Sequence, residues 1–288
     1  MTTPPIQWYP GHIAKAEKAL KEQLKLVDVV LEVRDARIPL STHHPKVKEW
    51  VGSKVRVLVL NRVDMILPPT RQLWLKWFKQ QGEEVYFTNA QDGKGVVDVA
   101  KVMQLAGIEI NQKRKSRGML PRPVRAVAIG FPNVGKSALI NRLVKRRVVE
   151  SAARPGVTRQ LRWVRISEQI ELLDAPGVIP AKLDNQSAAM KLAICDDIGD
   201  ASYDNQRVAA TLVDLLKNLA VNSLPDILPE NPLLARYELD PVTVTGEDYL
   251  HTLAQLRYQG DVERTARQLL TDFRKGLLGA IALELPKY

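Results

Sequence analysis

One segment of the sequence has the residue types and the spacing of a phosphate-binding loop. Gly130–Ser137, with the sequence GFPNVGKS, fits the pattern G-x-x-x-x-G-K-[ST] and lies between a short apolar run and a helical pattern. Glycine lets the backbone curl around phosphate and present its N–H groups, Lys136 can reach the outer phosphates, and Ser137 is placed to ligate Mg²⁺. The loop therefore predicts a nucleotide site, whose expected contacts are Asn133, Val134, Gly135, Lys136, Ser137 and Ala138.

A second segment bears on which base is bound. Asn61-Arg62-Val63-Asp64 follows the apolar run Val55–Leu60 directly and resembles the N-K-x-D box of the Ras-like GTPases. In those proteins the aspartate accepts two hydrogen bonds from guanine that adenine cannot supply, so the resemblance implies GTP and GDP as ligands. Arg62 stands where lysine is usual, and its aliphatic stem could cover the base in the same way. The alternative interpretation is a surface turn after a strand.

Three further segments agree with a GTP site. Asp174-Ala-Pro-Gly177 matches D-x-x-G, in which Asp174 would hold Mg²⁺ through water and the Gly177 N–H would sense the γ-phosphate. Thr158, in the segment RPGVT, is placed as the switch threonine that ligates Mg²⁺ and the γ-phosphate. Asn89 and Ala90, which follow another apolar run, resemble the S-A-K box whose backbone touches guanine O6.

The order of these segments is unusual. In Ras-like proteins the N-K-x-D and S-A-K boxes come last, whereas here they come first. A circular permutation keeps a fold when the old termini lie close together and the new cut falls in an exposed connection. The basic, Pro- and Gly-marked stretch Asn111–Pro123 is expected to be the exposed connector that joins the old termini. In the new order D-x-x-G is followed directly by the C-terminal helices. A movement of D-x-x-G on loss of the γ-phosphate should therefore be transmitted directly to those helices.

This arrangement resembles the circularly permuted GTPases, and the full pattern is similar to the bacterial ribosome biogenesis GTPase A (YlqF/RbgA) family. The segments that carry the resemblance are Gln7–His12, Val33–Pro39, Asn61–Asp64, Gly130–Ser137, Arg154–Thr158 and Asp174–Gly177. It implies GTP hydrolysis with Mg²⁺ in a late step of large (50S) ribosomal subunit assembly, with binding to the pre-ribosomal particle and its RNA in the GTP state and release on hydrolysis. The C-terminal third matches only in its helical character and its length.

The predicted site lacks the glutamine with which Ras-like enzymes orient the attacking water. Val178 follows D-x-x-G and cannot hydrogen-bond water, so turnover by the free protein should be slow. Asn133 resembles the asparagine with which some such GTPases hold K⁺, although it could equally be a residue that shapes the loop. The family resemblance makes His12 a water-orienting residue, and the alternative is a helix-start histidine without a chemical role. The predicted catalytic residues are His12, Lys136, Thr158 and Gly177.

Short strands and helices alternate through most of the chain. Apolar runs predict strands at Val27–Val33, Val55–Leu60, Glu84–Thr88, Val124–Ile129, Leu161–Ile166 and Ile170–Leu173. Helical patterns lie at His12–Leu26, Thr70–Gln80, Val96–Leu105 and Lys136–Lys145. This alternation favours an α/β fold with a doubly wound sheet, and we assign residues 1–180 to a circularly permuted Ras-like P-loop GTPase domain that includes the His12 segment.

Beyond about Pro180 the strand signal ends, and residues 181–288 are expected to form a small, all-helical domain that binds RNA or the ribosome. Helices are predicted near Ala188–Ile198, Tyr203–Asn218, Gly246–Tyr258 and Asp261–Leu283. At helical spacing, the last of these has a basic stripe of Arg264, Arg267, Arg274 and Lys275 beside an apolar face of Ala266, Leu269, Leu270, Phe273 and Leu277. The stripe suits RNA docking, although a solvated helix can show the same pattern.

The composition points to a polyanionic partner. The 288 residues carry a formal net charge of +10, and phosphate contacts made by such a surplus release counterions. RNA is expected rather than DNA, because no sequence-reading motif is present. No apolar run is long enough to span a bilayer, the N-terminus lacks signal-peptide features, and the single cysteine, Cys195, fits a reducing compartment, so a cytoplasmic protein is expected. The alternatives left open are a K⁺-stimulated GTPase acting on the small subunit or tRNA, and a signalling GTPase with a protein partner.

Overall fold

The computed structural model describes residue 6 and residues 10–145, 162–180, 183–199, 203–222 and 231–286, without the side chains of residues 10–16, 221 and 222. The chain divides into two compact units. One contains Tyr9–Val63 and Trp77–Ala181, and the other contains Met1–Trp8, Asp64–Lys76 and Lys182–Tyr288. The boundary that we drew from the sequence after residue 180 stays a prediction.

The first unit is built on a six-stranded sheet with the order β3-β2-β1-β4-β6-β5. The strands are β1 (Val29–Asp35), β2 (Val55–Asn61), β3 (Val85–Thr88), β4 (Val124–Ile129), β5 (Arg162–Ser167) and β6 (Ile170–Asp174). All neighbours are parallel except the edge strand β5, which is antiparallel to β6. Every residue of β1 is buried, as expected for a central strand of a parallel sheet.

The register of the sheet brings the ends of several strands to the same edge. Asp35 pairs with Asn61, and Asn61 pairs with Thr88, so the carboxyl ends of β1, β2 and β3 are level. On the other side of β1, Asp174 at the end of β6 is level with Ala128 of β4. The segments that follow β2, β3, β4 and β6 therefore leave from one edge, which is where open α/β sheets bind their ligands.

The described helices are α1 (Pro10–Leu24), α2 (Val47–Val51), α3 (Pro68–Gln80), α4 (Val96–Lys115), α5 (Lys136–Val144), α6 (Gln186–Ile194), α7 (Asn205–Asn222), α8 (Pro232–Tyr237), α9 (Gly246–Arg257) and α10 (Val262–Arg274). A single turn of 3₁₀ helix, Val63–Met65, follows β2. The short helices α2 and α8 were not predicted. Among the described residues, no helix is long and apolar enough to cross a membrane.

Two predicted boundaries were wrong. The expected connector Asn111–Pro123 is helical as far as Lys115, so the irregular stretch between α4 and β4 is shorter than the sequence suggested. The predicted last helix Asp261–Leu283 ends at Arg274, because the backbone turns at Gly276, whose φ is +73°. Leu277, placed on the apolar face of that helix from its spacing, is instead 51% exposed.

The described part of the helical unit is held together by close helix packing and buried hydrogen bonds. A Cβ at Gly246 would lie 2.1 Å from the Ala210 carbonyl oxygen, so glycine permits the close approach of α7 and α9. The buried Asp272 carboxylate accepts hydrogen bonds from the Tyr237 hydroxyl at 3.0 Å and the Arg236 Nε at 3.0 Å. Asn185, Asn231, Thr245 and Asp261 cap the N-termini of α6, α8, α9 and α10.

Candidate functional site

The loop between β4 and α5 can take its shape only with glycine at two positions. Gly130 and Gly135 have φ values of +151° and +96°, which L side chains rarely adopt. A Cβ at Gly130 would lie 2.2 Å from the Val33 carbonyl oxygen, and one at Gly135 would lie 2.1 Å from the Asn61 Nδ2. The loop is therefore pressed against the ends of β1 and β2, and α5 begins immediately after it, with its N-terminal N–H groups at the carboxyl edge of the sheet.

The two side chains predicted to meet phosphate and Mg²⁺ lie at the start of α5. Lys136 is buried, and its Nζ donates to the Gly130 carbonyl at 3.2 Å and to the Phe131 carbonyl at 2.7 Å, so the ammonium lies across the loop. The Ser137 hydroxyl donates to Oδ2 of Asp174 at 3.4 Å. The hydroxyl and the carboxylate of two separate segments thus come together beside the loop, and hard oxygen ligands of this kind fit Mg²⁺.

Asn61 ties three segments of the site together. Its Nδ2 donates to the Val134 carbonyl at 2.9 Å, while its Oδ1 accepts from the Thr88 hydroxyl at 3.0 Å and from the Ala90 N–H at 3.0 Å. Both ends of the buried amide are thereby engaged by protein atoms. Asn61 therefore sets the positions of the phosphate loop and the Ala90 loop.

Arg62 is held by a buried carboxylate and by the phosphate loop. Its guanidinium donates to Oδ2 of Asp35 at 3.0 Å and to the Asn133 carbonyl at 2.6 Å. Asp35 also accepts from the backbone N–H and the guanidinium of the fully buried Arg37. Burial alone would raise the pKa of Asp35, but the charges of Arg37 and Arg62 lower it, so Asp35 is ionised. The segment Val33–Pro39 carries part of the family resemblance, but nothing in its sequence predicts that Asp35 anchors Arg62.

The loop after β3 closes on itself. The Asn89 backbone N–H donates to the Lys94 carbonyl at 3.0 Å, and its side-chain oxygen accepts from the Gln91 N–H at 2.9 Å. The side chain of Arg142, from α5, reaches over to donate to the Ala90 carbonyl at 3.4 Å and to the Gln91 carbonyl. Arg142 was not foreseen, because nothing in its own stretch of sequence shows that α5 lies beside this loop.

The D-x-x-G segment packs against the phosphate loop. A Cβ at Gly177 would lie 2.6 Å from the Pro132 nitrogen, and the Val178 N–H donates to the Gly130 carbonyl at 3.1 Å. The Val178 side chain is 3% exposed and belongs to an apolar cluster that includes Leu20 and Leu24 of α1. At the position of the usual glutamine, the side chain therefore packs in the core, in a cluster to which the helix that carries His12 also contributes.

A buried histidine lies close to the phosphate loop. His44 is stacked on Trp50 with a ring-centroid distance of 4.3 Å, and Phe131 of the phosphate loop is 6.5 Å away. Burial lowers the pKa of His44 to about 4, so its imidazole is neutral near pH 7. Its Nδ1 accepts from the Lys46 N–H at 3.2 Å. No role was predicted for this residue, and in the structure its ring lies near Phe131 of the phosphate loop.

Two predicted site residues, Thr158 and His12, are described only in part or not at all. Thr158 lies outside the described residues. His12 is in the first turn of α1, and its side chain is outside the described part of the chain. Asp64 lies in the 3₁₀ turn Val63–Met65 and is exposed. Among the described residues, no group of three or more His, Cys, Asp or Glu side chains could hold a metal ion.

Comparison with known proteins gives one consistent result. The family model described as 50S ribosome-binding GTPase matches residues 125–226. Ribosome biogenesis GTPase A of Bacillus cereus is 34% identical over 98% of this chain and 94% of its own length. Mitochondrial ribosome-associated GTPase 1 of Mus musculus is 32% identical over 96% of this chain and 90% of its own length.

The fold is also that of a solved structure. The crystal structure of GNP-bound YlqF from T. maritima superposes with a TM-score of 0.66, at 23% identity, over 95% of this chain and 99% of that one. The predicted fold class, a permuted P-loop GTPase domain followed by helices, is thereby confirmed. With the sequence identities above, the chain belongs to the ribosome biogenesis GTPase A family and is a GTPase of that family.

Proposed function

We propose that this protein is a GTP-hydrolysing switch that assists a late step of large (50S) ribosomal subunit assembly, bound to the pre-ribosomal particle with GTP and released on hydrolysis. The observation that carries the proposal is the carboxyl edge of the sheet, where Lys136, Ser137 and Asp174 meet at a glycine-shaped loop. The names of its relatives supply the target, since they describe 50S-binding and ribosome-biogenesis GTPases.

The nucleotide would be held by groups that are already in place. The loop N–H groups and the N-terminus of α5 face the phosphates, and Lys136 exchanges its two loop carbonyls for phosphate oxygens. Ser137 and Asp174, with Thr158, would hold Mg²⁺, which neutralises charge on the phosphate oxygens. Asp64 reads guanine, the Arg62 stem and Val63 border the base, and the backbone of Asn89 and Ala90 lies beside its carbonyl.

Catalysis needs a group that orients the attacking water, and Val178 cannot supply it. That side chain is apolar and buried in the core, so it would not orient the attacking water. Two sources remain in the proposal. His12 would orient water, or Asn133 would hold a K⁺ ion whose charge offsets the charge that develops on the phosphates. The Gly177 N–H would register the γ-phosphate.

The partner is proposed to be the large subunit or its precursor, with contact to ribosomal RNA. The charge of +10 favours an RNA partner and argues against a signalling GTPase with a protein partner. A small-subunit or tRNA target is the second candidate, because charge alone does not separate one RNA from another. We place the protein in the cytoplasm, where bacterial ribosomes are assembled.

Cosedimentation with ribosomal particles tests this function. Large subunits, immature large-subunit precursors and small subunits would each be mixed with the protein bound to a non-hydrolysable GTP analogue or to GDP. We expect the large-subunit particles to retain the analogue form and to raise the GTP turnover rate. Lys136→Ala, which removes the phosphate-facing ammonium, is the control that should abolish nucleotide-dependent retention. Equal retention with GDP, or preference for small subunits, would contradict the proposal.

A further inference from the structure

The strongest unassigned surface lies at the end of the sheet opposite the phosphate loop, where α4 runs into β4. The C-terminal turn of α4 and the following residues, Lys113–Leu120, form what we call the basic turn, with the sequence KRKSRGML. Lys113, Lys115 and Arg117 are exposed and, among the described residues, none of them is in an ion pair. Three unpaired cations lie within a segment of eight residues.

The basic turn is preformed. Gly118 has a φ of +71°, its N–H donates to the Lys115 carbonyl at 2.9 Å, and the Met119 N–H donates back to the Arg114 carbonyl at 3.0 Å. The Arg114 side chain also donates to the Leu120 carbonyl at 3.0 Å. These bonds close the helix end in the manner of a glycine C-cap. Binding here would cost little ordering entropy, because the backbone is already fixed.

Beside the basic turn lies a cleft of about 510 Å³, which is lined by polar and apolar groups in similar proportion. Its lining includes three glutamine side chains, Gln104, Gln112 and Gln169, together with Lys115 and Arg122. Among the described residues, the amides of these glutamines are in no hydrogen bond, so they offer both donors and acceptors. The volume is of the order needed for a small aromatic ring system such as a nucleobase.

The wall of the cleft is also fixed. The Asn111 side chain bonds both the N–H and the carbonyl of Arg122, at 3.1 and 3.0 Å. The Arg122 guanidinium in turn forms a bidentate pair with Asp28, at 2.8 and 2.9 Å. Arg122 therefore stabilises the wall of the cleft, and the cations available to a partner are those of the basic turn.

Apolar side chains are also exposed at this surface, among them Ile108 of the cleft lining, which is 55% exposed. Leu120 is 83% exposed and Met119 is 40% exposed, directly before Pro121, which lines the cleft. Basic side chains at a helix C-terminus have an ordinary explanation, because they offset the helix dipole. That explanation accounts for neither the exposed Leu120 nor the row of amides. Glu109 on α4 and Glu168 at the cleft form no ion pair with the basic turn among the described residues.

We propose that the basic turn and the adjacent cleft bind an unpaired segment of RNA. Lys113, Lys115 and Arg117 contact its phosphates, Leu120 packs on a base face, and the glutamine amides bond the edge of a base in the cleft. An unpaired segment fits better than a duplex, because the bases of duplex RNA are stacked and their faces are covered. The inference rests on the proposed function in so far as it takes ribosomal RNA as the source of that segment.

The test compares two triple variants with the same change of charge. Lys113→Ala/Lys115→Ala/Arg117→Ala removes the cations of the basic turn. Lys18→Ala/Lys48→Ala/Lys79→Ala removes three exposed lysines elsewhere that, among the described residues, have no ion pair. The probe is a fluorescent 12-nucleotide oligouridylate, and the competitor is an RNA duplex of the same length.

We expect the basic-turn variant to lose at least about tenfold in affinity for the oligouridylate, and its slope of log affinity against log salt to fall by about one for each lost phosphate contact. The control triple should change affinity by less than about threefold. Leu120→Ser should weaken binding without changing the salt slope, because it removes stacking area and no charge. Equal losses in both triples, or tighter binding of the duplex, would overturn the proposal.

Cosedimentation separates this inference from the proposed function. If the wild-type protein is retained by large subunits and the basic-turn variant is retained equally at every salt concentration, the function stands and the surface is wrong. If the wild-type protein is not retained, the proposed function fails, and the oligouridylate titration still decides whether the basic turn binds RNA.

Discussion

In the segment Asn61–Asp64, which resembles the N-K-x-D box, two residues have different roles. Asn61 is buried, and its amide is fully used to tie the Val134 carbonyl to the Thr88 and Ala90 loop. Asp64, three residues later, is exposed in a 3₁₀ turn. A substitution at Asn61 would disturb the phosphate loop as well as the base, so it cannot test base recognition. Asp64 is the residue at which guanine specificity can be tested separately.

We therefore expect Asp64→Asn to weaken binding of GTP and to improve binding of xanthosine triphosphate. The xanthine ring carries a carbonyl where guanine carries an amine, and an asparagine amide can donate to that carbonyl. Competition of the two triphosphates against a fluorescent GDP measures the preference. Asp98→Asn, at an exposed aspartate on α4, is the control that should leave it unchanged. If Asp64→Asn keeps the wild-type preference, Asp64 is not in the base pocket.

At Asn133 the backbone and the side chain can be tested apart. The residue has a φ of +54°, and its carbonyl accepts from Arg62, so replacement by alanine would strain the loop besides removing the amide. Glycine tolerates that φ. We expect GTP hydrolysis to be faster in K⁺ than in Na⁺ at equal ionic strength, and Asn133→Gly to lose the difference. Steady-state phosphate release in the two salts measures it, and identical wild-type rates would exclude the cation.

At the scale of elements, β1 carries a buried charge network. Glu32, 1% exposed, pairs with Arg34 at 2.7 Å and with Arg56 of β2 at 2.8 Å. It also lies 3.0 Å from the His43 Nδ1. Burial alone would raise the pKa of Glu32, but the hydrogen bond to His43 and the charges of Arg34 and Arg56 lower it to about 2. The network joins β1, which ends at Asp35, to β2 and to the segment after β1.

This network predicts how stability depends on pH. Because folding lowers the pKa of Glu32 from 4.5 to about 2, the unfolded chain binds more protons between these values. The stabilisation, roughly 3 kcal/mol, is complete above pH 4.5 and is lost as the pH falls towards 2. We expect Glu32→Gln to lower the free energy of unfolding at pH 7 and to flatten its decline in acid. Urea unfolding at a series of pH values measures both effects.

The matched control is Glu171→Gln. Glu171 pairs with Arg125 at 3.5 Å on the surface, with side chains 35% and 42% exposed, and such pairs contribute at most about 1 kcal/mol. Its stability should follow the wild-type pH profile. If Glu32→Gln also follows the wild-type profile, the buried network does not contribute to acid sensitivity.

The sequence predicted the elements that position the nucleotide and was less successful at their ends. The phosphate loop and the strands before it have strong local signals, and the structure brings Ser137 and Asp174 together as expected. The length of α4 was missed because residues 111–115 are polar and carry basic charge, which suits an exposed helix face as well as a loop. Arg274 was placed in a surface stripe, yet it donates to the carbonyls of Ala193 and Ile194, a contact that only tertiary packing reveals.

At the scale of the whole molecule, the order of the segments along the chain determines which of them respond to the state of the nucleotide. Val178 follows D-x-x-G directly and lies in the same apolar cluster as Leu20 and Leu24 of α1, so we expect movement of that segment on loss of the γ-phosphate to disturb this cluster. Along the sequence, α6 begins only nine residues after Gly177. We therefore expect hydrolysis to act on α1 as well as on the chain that leads into α6.

His12 is the residue through which this linkage can be tested. It lies in the first turn of α1, outside all nucleotide boxes. We expect His12→Ala to leave GTP affinity nearly unchanged and to lower the turnover stimulated by large subunits by roughly 10- to 1,000-fold, the range for loss of one positioned polar group. The variant should also stay bound to the large-subunit precursor, because release requires hydrolysis. Single-turnover rates on saturating subunits measure the first effect, and cosedimentation after GTP addition measures the second.

The matched control is His251→Ala, which removes an exposed histidine of α9. The subunit-stimulated rate of this variant should equal that of the wild type, because His251 lies outside the nucleotide boxes and is not expected to contact the γ-phosphate. A His12→Ala rate within about twofold of wild type would make His12 a structural residue of α1. The effect of K⁺ would then identify the remaining source of catalysis. If the stimulated rate falls when Na⁺ replaces K⁺, the source is the cation held by Asn133. If the rate responds neither to this replacement nor to His12→Ala, the source is the ribosomal RNA of the proposed partner.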